Sequence, residues 1–537
     1  MTDTGSLNLD WAHALIAGFV AAGTREAIIS PGSRSTPLAL AMLRQPGLRC
    51  HIAVDERSAA FFALGIAKVQ RQPALLLATS GTAPANWLPA VIEASQSGVP
   101  LIALSADRPP ELHACGANQT VPQIGMFAPW VRAGHALGAP HAGFDPGYLH
   151  RLATQAVEQA IWPYPGPVHI NQPLREPLLP ADPQITNDEP GPVTHHFPKL
   201  ALDTGLMSEL AERIAGRPGV IICGETPADP GLAPAVTALA RRLACPILAE
   251  PLSGLRFGRH DRSHLCVRYN RWLADAGERQ IARPEWIIRI GAFPVTRHLQ
   301  NFVSATTATH VVFDPWPRWI DPPHRITHLV RGEPADLCAA LAEQAPSPAP
   351  AGWLEAFMTE ERRTAASAEA SHITAVLDEI PDGGALFVGN SLAIRQLDSF
   401  SGVSDKTLHC HANRGASGID GNISTAAGIA AAHGRTVALL GDLTCQHDLG
   451  GLALARGRDL VIVTVNNNGG GIFDHLPQRT LPEFEQGWRT PQAVDFGHAA
   501  RAFGIDYAQV DAHDALRLAL HNALQAGGPH LIELRQH

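Results

Sequence analysis

The chain has 537 residues, 45% of them apolar and 17% charged, with a formal net charge of −9. That balance excludes the basic footprint of a nucleic-acid-binding surface, and no run of 18 uncharged apolar residues is present to form a membrane-spanning helix. At roughly 150 residues per domain, the length predicts several α/β-sized cores.

The first twenty residues lack a basic stretch followed by an apolar run, so no secretory leader is expected. The eight cysteines form no CxxC pair. This argues against a zinc ribbon or a disulfide framework, and predicts reduced thiols in a cytoplasmic protein.

In the first third, AIISPG at 27–32, LLLATSG at 75–81, LIALSAD at 101–107 and VHINQP at 168–173 read as short apolar strands ending in polar or glycine residues. Segments of helical composition, such as ERSAAFFALGIAKV at 56–69, separate them. Continuous apolar strands alternating with helices predict a parallel sheet covered on both faces, over residues 1–185. The Pro-rich stretch 177–199 reads as a linker. VIICGE at 220–225, CPILAE at 245–250, WIIRIG at 286–291 and THVVFD at 309–314 repeat the pattern over 200–345, and a second break follows at 343–352. ALFVGNS at 385–391, LHCHANRG at 408–415, TVALLGD at 436–442, LVIVTVNNN at 460–468 and HLIELR at 530–535 repeat it again over 353–537. The fold class is therefore α/β, with three tandem α/β domains and mainly parallel sheets. In such sheets ligands bind beyond the carboxyl ends of the strands.

Two of those ends carry unusual chemistry. TVALLGD brings Asp442 to a strand tip, and LVIVTVNNN brings Asn467 to another about 25 residues later. A crossover between them can bring the two tips together. A carboxylate and an amide oxygen suit a hard cation such as Mg²⁺, and Gly469 can add a backbone carbonyl. Magnesium so held completes its shell with phosphate oxygens and water. The glycines 469–471 let a diphosphate approach backbone amides at the following helix start. The histidine-rich HCH at 409–411 is a poor chelator by contrast: His409 and Cys410 point to opposite faces, and His409 and His411 can share a face but have no further ligand evident.

GDL, followed by NNNGGGIF, resembles the metal-diphosphate signature of the thiamine-diphosphate-dependent enzymes, with Leu443 in place of the usual second glycine. GDLTCQHDLGGL, NNNGGGIFDHLPQ, PGSRSTPLALA, DERSAAFFALGIA, SADRPPELHACGANQT and HANRGASGIDGNISTAAG resemble more specifically the branch of that family that serves menaquinone biosynthesis. The resemblance spans nearly the whole chain and implies the fold of that family. It implies thiamine diphosphate and Mg²⁺ (or Mn²⁺) as cofactors, with 2-oxoglutarate and isochorismate as substrates. It implies a homodimer or dimer of dimers, whose sites lie between subunits. A decarboxylase or acetolactate-synthase-like activity is the alternative within the family, and a non-catalytic homologue the alternative outside it.

The same resemblance assigns residues. Glu56 is the catalytic carboxylate that activates the cofactor, although a helix-opening charge alone would explain DER. Asp442, Asn467 and Gly469 hold the metal. Ile419, Leu443, Gly470, Gly471, Ile472 and Phe473 complete the cofactor site. Arginine forks suit the several substrate carboxylates. Arg395 and Arg414 are assigned to the 2-oxoglutarate-derived unit, and Arg34, Arg108 and Arg297 to isochorismate. Ser33, Asn118, Gln119 and Ser391 add neutral hydrogen bonds. Arg297 and Gly471 depart from residues that relatives carry, lysine and glutamine respectively. The middle domain has no GxGxxG after its first strand and is expected to hold no nucleotide.

Overall fold

The computed structural model describes residues 3–184, 191, 193–275, 283–344, 346–367 and 371–536. Three six-stranded sheets follow one another along the chain. The first contains β1 (Glu26–Ile29), β2 (Arg49–Ile52), β3 (Ala74–Ala78), β4 (Leu101–Asp107), β5 (Ala133–Ala136) and β6 (Pro167–Pro173), in the order β2-β1-β3-β4-β6-β5. The second contains β7 (Gly219–Cys223), β8 (Ile247–Ala249), β9 (Leu265–Cys266), β10 (Trp286–Ile290), β11 (Thr309–Phe313) and β12 (His328–Val330), in the order β12-β11-β10-β7-β8-β9. The third contains β13 (Ala385–Val388), β14 (His409–His411), β15 (Thr436–Gly441), β16 (Leu460–Asn466), β17 (Asp506–Val510) and β18 (His530–Arg535), in the order β14-β13-β15-β16-β18-β17. Every strand pairing is parallel.

β6 (PVHINQP) is buried yet carries His169, Asn171 and Gln172, whereas most other central strands are mainly apolar and buried, as in ALLLA of β3 and GVIIC of β7. Helices cover both faces, which is why these strands show no polar alternation. Residues 185–190 and 192 of the expected linker, and residue 345 of the second break, lie outside the described residues. The described remainders of both stretches carry no strand.

The first and third units share a core. The Glu56–Gln70 helix packs on the Asn422–His433 helix, and their alanine-rich faces belong to one buried cluster. Two glycines set the spacing. A Cβ on Gly65 would stand 2.1 Å from the Thr425 carbonyl oxygen, and one on Gly428 would stand 2.1 Å from that of Phe62. Only residues without side chains allow the two backbones to approach so closely. The middle unit is fastened to the third by Arg256, which is fully buried. Its Nε donates to Ala249 O and its Nη1 to Asp398 O, both at 2.7 Å, while Nη2 pairs with the Asp398 carboxylate. Among the described residues no helix is long and apolar enough to cross a membrane.

Candidate active site

The strand β15 runs straight into a short helix, Asp442–His447, so Asp442 sits at the turn between them. β16 lies beside β15 in register, and the loop after it folds back over the same tip. The Gly469 amide donates to Asp442 Oδ2 at 2.7 Å, and the Leu443 amide to Oδ1 at 2.8 Å. Burial raises the Asp442 carboxyl above its ordinary value, while these two amides oppose the rise.

Asn467 Oδ1 is buried with no partner among the described residues. A buried amide oxygen left unpaired is costly unless something electropositive meets it. The Gly469 carbonyl accepts the Gly471 amide at 2.8 Å, and its second lone pair remains. Asp442, Asn467 and Gly469 therefore offer a set of hard oxygen donors, which fits an oxygen-seeking divalent cation. Among the described residues no three His, Cys, Asp or Glu side chains gather as metal ligands. Of this donor set only Asp442 belongs to those residue types.

A diphosphate is expected at the amides of the following helix start. The amides of the three glycines themselves are occupied, Gly469 by Asp442 Oδ2, Gly470 by Arg489 O and Gly471 by Gly469 O. Gly469 also permits a close approach within the chain: a Cβ there would meet Arg489 O at 2.1 Å. The segment 485–490 packs against this loop, and the Arg489 guanidinium bonds the Asn467 carbonyl and pairs with Asp474 at 2.7 Å. Sequence reading missed Arg489, whose role depends on a fold-back that no motif signals. Leu443, Ile472 and Phe473 are half-buried around the loop, and Gly470 and Gly471 are buried within it.

Glu56 is the first residue of the Glu56–Gln70 helix. Asp55 caps that helix, accepting the amides of Arg57 at 2.9 Å and Ser58 at 3.3 Å. Capping thus falls to Asp55 and leaves the half-buried Glu56 carboxylate with no hydrogen-bond partner among the described residues. In the same chain this helix start abuts the end of the Asp442–His447 helix. Arg57 donates to the His447 carbonyl at 3.2 Å and lies 3.6 Å from the buried Asp448 carboxylate.

The arginines fall into two pairs and one outlier. Arg34 is buried beyond β1; it donates to Leu174 O and pairs with Glu176, while its Nε has no partner. Arg108, at the tip of β4, bonds Ser80 Oγ. Burial lowers the Arg108 pKa, and the neighbouring Arg34 cation lowers it further. Gln119 donates to Ser80 O at 2.9 Å and accepts from Ser80 Oγ at 3.0 Å through its carbonyl. Ser33 and Asn118 are exposed in the adjoining loops.

On the third unit, Arg414 donates to Asn390 Oδ1 at 2.5 Å, and its buried Nε has no partner. Arg395 donates to Ser391 O at 2.7 Å. Burial lowers the Arg395 pKa, and Arg414 lowers it further. Asn390 also bonds Asn413 O and Gly418 O, so it ties the tip of β13 to the loop carrying Arg414 and the half-buried Ile419. Arg297 joins neither pair: it is exposed at the first turn of the Arg297–Ser304 helix. Ser80 and Asn390 were inside quoted motifs, but a serine or asparagine at a strand end is too common to single out.

Gln119, Ser391, Ser417 and Asn468 all have positive φ, between +56° and +64°. Such strain costs about 1–3 kcal/mol each and concentrates where a loop is held for function. A cavity of about 1340 Å³ opens between the three units, lined by Lys68, Glu225, Arg318 and the site residue Arg414 among others.

Residues 9–126 match the N-terminal, and residues 399–534 the C-terminal, thiamine-pyrophosphate-binding domain of thiamine pyrophosphate enzymes. The chain is 65% identical over 536 residues to the 2-succinyl-5-enolpyruvyl-6-hydroxy-3-cyclohexene-1-carboxylate synthase of Dechloromonas aromatica (strain RCB), covering 100% of both. It is 40% identical to the enzyme of that name from Geobacillus kaustophilus (strain HTA426), covering 98% of this chain and 94% of the relative. It is 37% identical to the one from Roseiflexus sp. (strain RS-1), covering 98% and 95%. The three-sheet α/β fold is that of the thiamine-diphosphate enzymes, and the chain belongs to the 2-succinyl-5-enolpyruvyl-6-hydroxy-3-cyclohexene-1-carboxylate synthase family.

Proposed function

We propose that this chain is a thiamine-diphosphate-dependent transferase that decarboxylates 2-oxoglutarate and adds the remaining four-carbon unit to isochorismate by 1,4-addition. The products are 2-succinyl-5-enolpyruvyl-6-hydroxy-3-cyclohexene-1-carboxylate and CO₂. The observation that carries this reading is the oxygen set of Asp442, Asn467 and Gly469 in a chain that also holds two pairs of neighbouring, buried or half-buried arginines.

When bound, the cofactor supplies a centre that accepts the electrons released by decarboxylation. The chain supplies the rest. Asp442, Asn467 and the Gly469 carbonyl would hold Mg²⁺ or Mn²⁺, which would supply positive charge for the cofactor's diphosphate. Glu56, free of competing partners, holds the proton that activates the pyrimidine ring. Arg395 and Arg414 neutralise the carboxylate of the 2-oxoglutarate-derived unit, helped by Ser391. Arg34 and Arg108, with Ser33, Asn118, Gln119 and Arg297, bind the carboxylates of isochorismate. A buried, unpaired Nε–H, as on Arg34 and Arg414, leaves a guanidinium edge that suits planar carboxylates.

In this reading residues 1–185 bind the pyrimidine, 353–537 bind the diphosphate and metal, and 200–345 are structural apart from Arg297. The enzyme works in the cytoplasm as a homodimer or dimer of dimers, with Glu56 completing the site of a partner. Ile52 and Val54, 53% and 84% exposed just before Glu56, support a covering partner there. The deciding experiment incubates the protein with thiamine diphosphate, Mg²⁺ and 2-oxoglutarate, with and without isochorismate. Mass spectrometry is expected to detect the two-substrate product only when both are present. CO₂ release from pyruvate without that product would move the assignment to a decarboxylase or acetolactate synthase.

A further inference from the structure

Glu93 lies on the Leu88–Ser97 helix of the first unit and is buried, with 2% of its surface exposed. Its two carboxylate oxygens are divided between backbone donors of the third unit. Oε1 accepts the Gly415 amide at 2.8 Å; Oε2 accepts the Ala416 amide at 2.7 Å and the Ser417 amide at 3.4 Å. Lys68 Nζ stands 4.0 Å from Oε1 and is itself buried. Lys68 is on the helix that begins with Glu56.

Successive amides that converge on one anion form a concavity that ordinarily takes a ligand. Here the anion is a side chain of the same protein. Arg414 immediately precedes the three bonded amides, and Ile419 follows two residues after Ser417. Ser417 is held at φ +62°. A Cβ on Gly415 would stand 2.6 Å from the Glu93 carbonyl oxygen, so the loop is seated directly on the helix backbone. A carboxylate buried this deeply is tolerated because three N–H groups and an ammonium surround it.

We propose that Glu93 is a positioning residue, which fixes the 414–419 loop so that Arg414 meets substrate and Ile419 meets cofactor in one geometry. The proposal rests on the roles assigned above to Arg414 and Ile419. Glu93 touches neither substrate nor cofactor; it acts through the loop.

The test compares E93Q and E93D with the wild type in full-length protein. Glutamine keeps the shape but turns one acceptor into an NH₂ group facing amide donors. Aspartate keeps both acceptors on a shorter stem. The expected result for E93Q is a KM for 2-oxoglutarate raised at least tenfold with kcat changed less than threefold. The Kd for thiamine diphosphate in Mg²⁺ rises several-fold, and hydrogen exchange at the 415–417 amides accelerates in cofactor-free protein. E93D falls between E93Q and wild type on each readout. Wild-type KM, Kd and exchange in E93Q, with only a lowered Tm, would overturn the proposal and leave Glu93 a purely structural residue. If E93Q does not fold, E93D decides: faster exchange at 415–417 supports the proposal and unchanged exchange overturns it. If wild-type protein turns over neither substrate, the proposed function fails, while the cofactor Kd and the exchange rates still decide the role of Glu93.

Discussion

Asp442 and Gly469 are 27 residues apart in sequence, and the amide of one meets the carboxylate of the other at 2.7 Å. This bond closes the loop that presents Asn467, whose side-chain oxygen is buried without a partner. Asn467→Ala removes that oxygen and leaves the Asp442–Gly469 bond intact. The expected outcome is at least a tenfold rise in the Kd for thiamine diphosphate in Mg²⁺, about 1.4 kcal/mol, with an unchanged Tm in the absence of cofactor. Isothermal titration with Mg²⁺ and with Mn²⁺ checks it; a wild-type affinity would remove Asn467 from the metal site.

Glu56 separates catalysis from capping, because Asp55 caps the helix. Glu56→Gln should therefore keep the fold and bind thiamine diphosphate within a few-fold of wild type. Turnover should fall by about 10²–10⁴, the usual contribution of a positioned proton-transfer group. Single-turnover CO₂ release is the measurement, and near-normal turnover would reassign Glu56 to a helix-dipole charge.

The sequence carried the interior of the fold better than its edges. Most central strands were readable as apolar runs, and β6 (PVHINQP) and β18 (HLIELR), which mix in polar residues, were readable from their apolar positions and strand-end chemistry. The strands it did not yield are β2, β5, β9, β12 and β17, and all five lie at sheet edges. β2 (RCHI), β5 (AGHA) and β17 (DYAQV) are partly exposed and mix polar with apolar residues. Edge strands are kept short and polar to discourage pairing with other chains, so their signal is weak by design of the fold. At the site, Asp442 and Asn467 were readable because each ends an apolar strand in a polar, glycine-flanked tip; that the two strands are neighbours emerges only in the structure. Glu93 and Arg489 were not, since each acts on backbone groups brought near only by tertiary folding.

The arginine pairs predict a split in kinetic effects. Lysine keeps the charge but loses the planar fork. Arg414→Lys should raise the KM for 2-oxoglutarate about tenfold or more and leave that for isochorismate within about threefold, since one charge-assisted contact is worth about 1.5–3 kcal/mol. Arg108→Lys should do the reverse. Equal effects of both variants on both substrates would merge the two proposed subsites into one.

The glycine pair at the shared core makes a stability prediction. Gly65→Ala places a methyl 2.1 Å from a backbone oxygen that cannot rotate away. Overpacking of this kind costs about 1–3 kcal/mol. The two helices must separate, and the one that moves carries Glu56. Gly65→Ala and Gly428→Ala should each lower the Tm and also weaken turnover. By contrast Gly116→Ala, where a Cβ meets nothing within 4 Å, should leave turnover unchanged and cost only the strain of its positive φ.

The clasp between the middle and third units predicts a pH dependence of stability. Glu250 is buried, and its Oε1 accepts the Val295 amide at 2.6 Å. Burial pushes its carboxyl from an ordinary 4.5 up to about 8, and the neighbouring Asp398 adds to the rise; the Val295 amide, Arg256 and Arg414 oppose it. In the unfolded chain the same group ionises near 4.5. Between these values the folded state holds a proton that the unfolded state has lost, so stability must fall as pH rises. The contribution is fully present below the unfolded value and is lost as pH climbs through the folded one. Glu250→Gln mimics the protonated form and removes the titration. Its Tm relative to wild type should therefore increase steadily from pH 5 to pH 8, read by thermal melts in buffers of matched ionic strength. A difference that stays constant over that range would mean that Glu250 is ionised in the folded protein, held by Arg256 in spite of its burial.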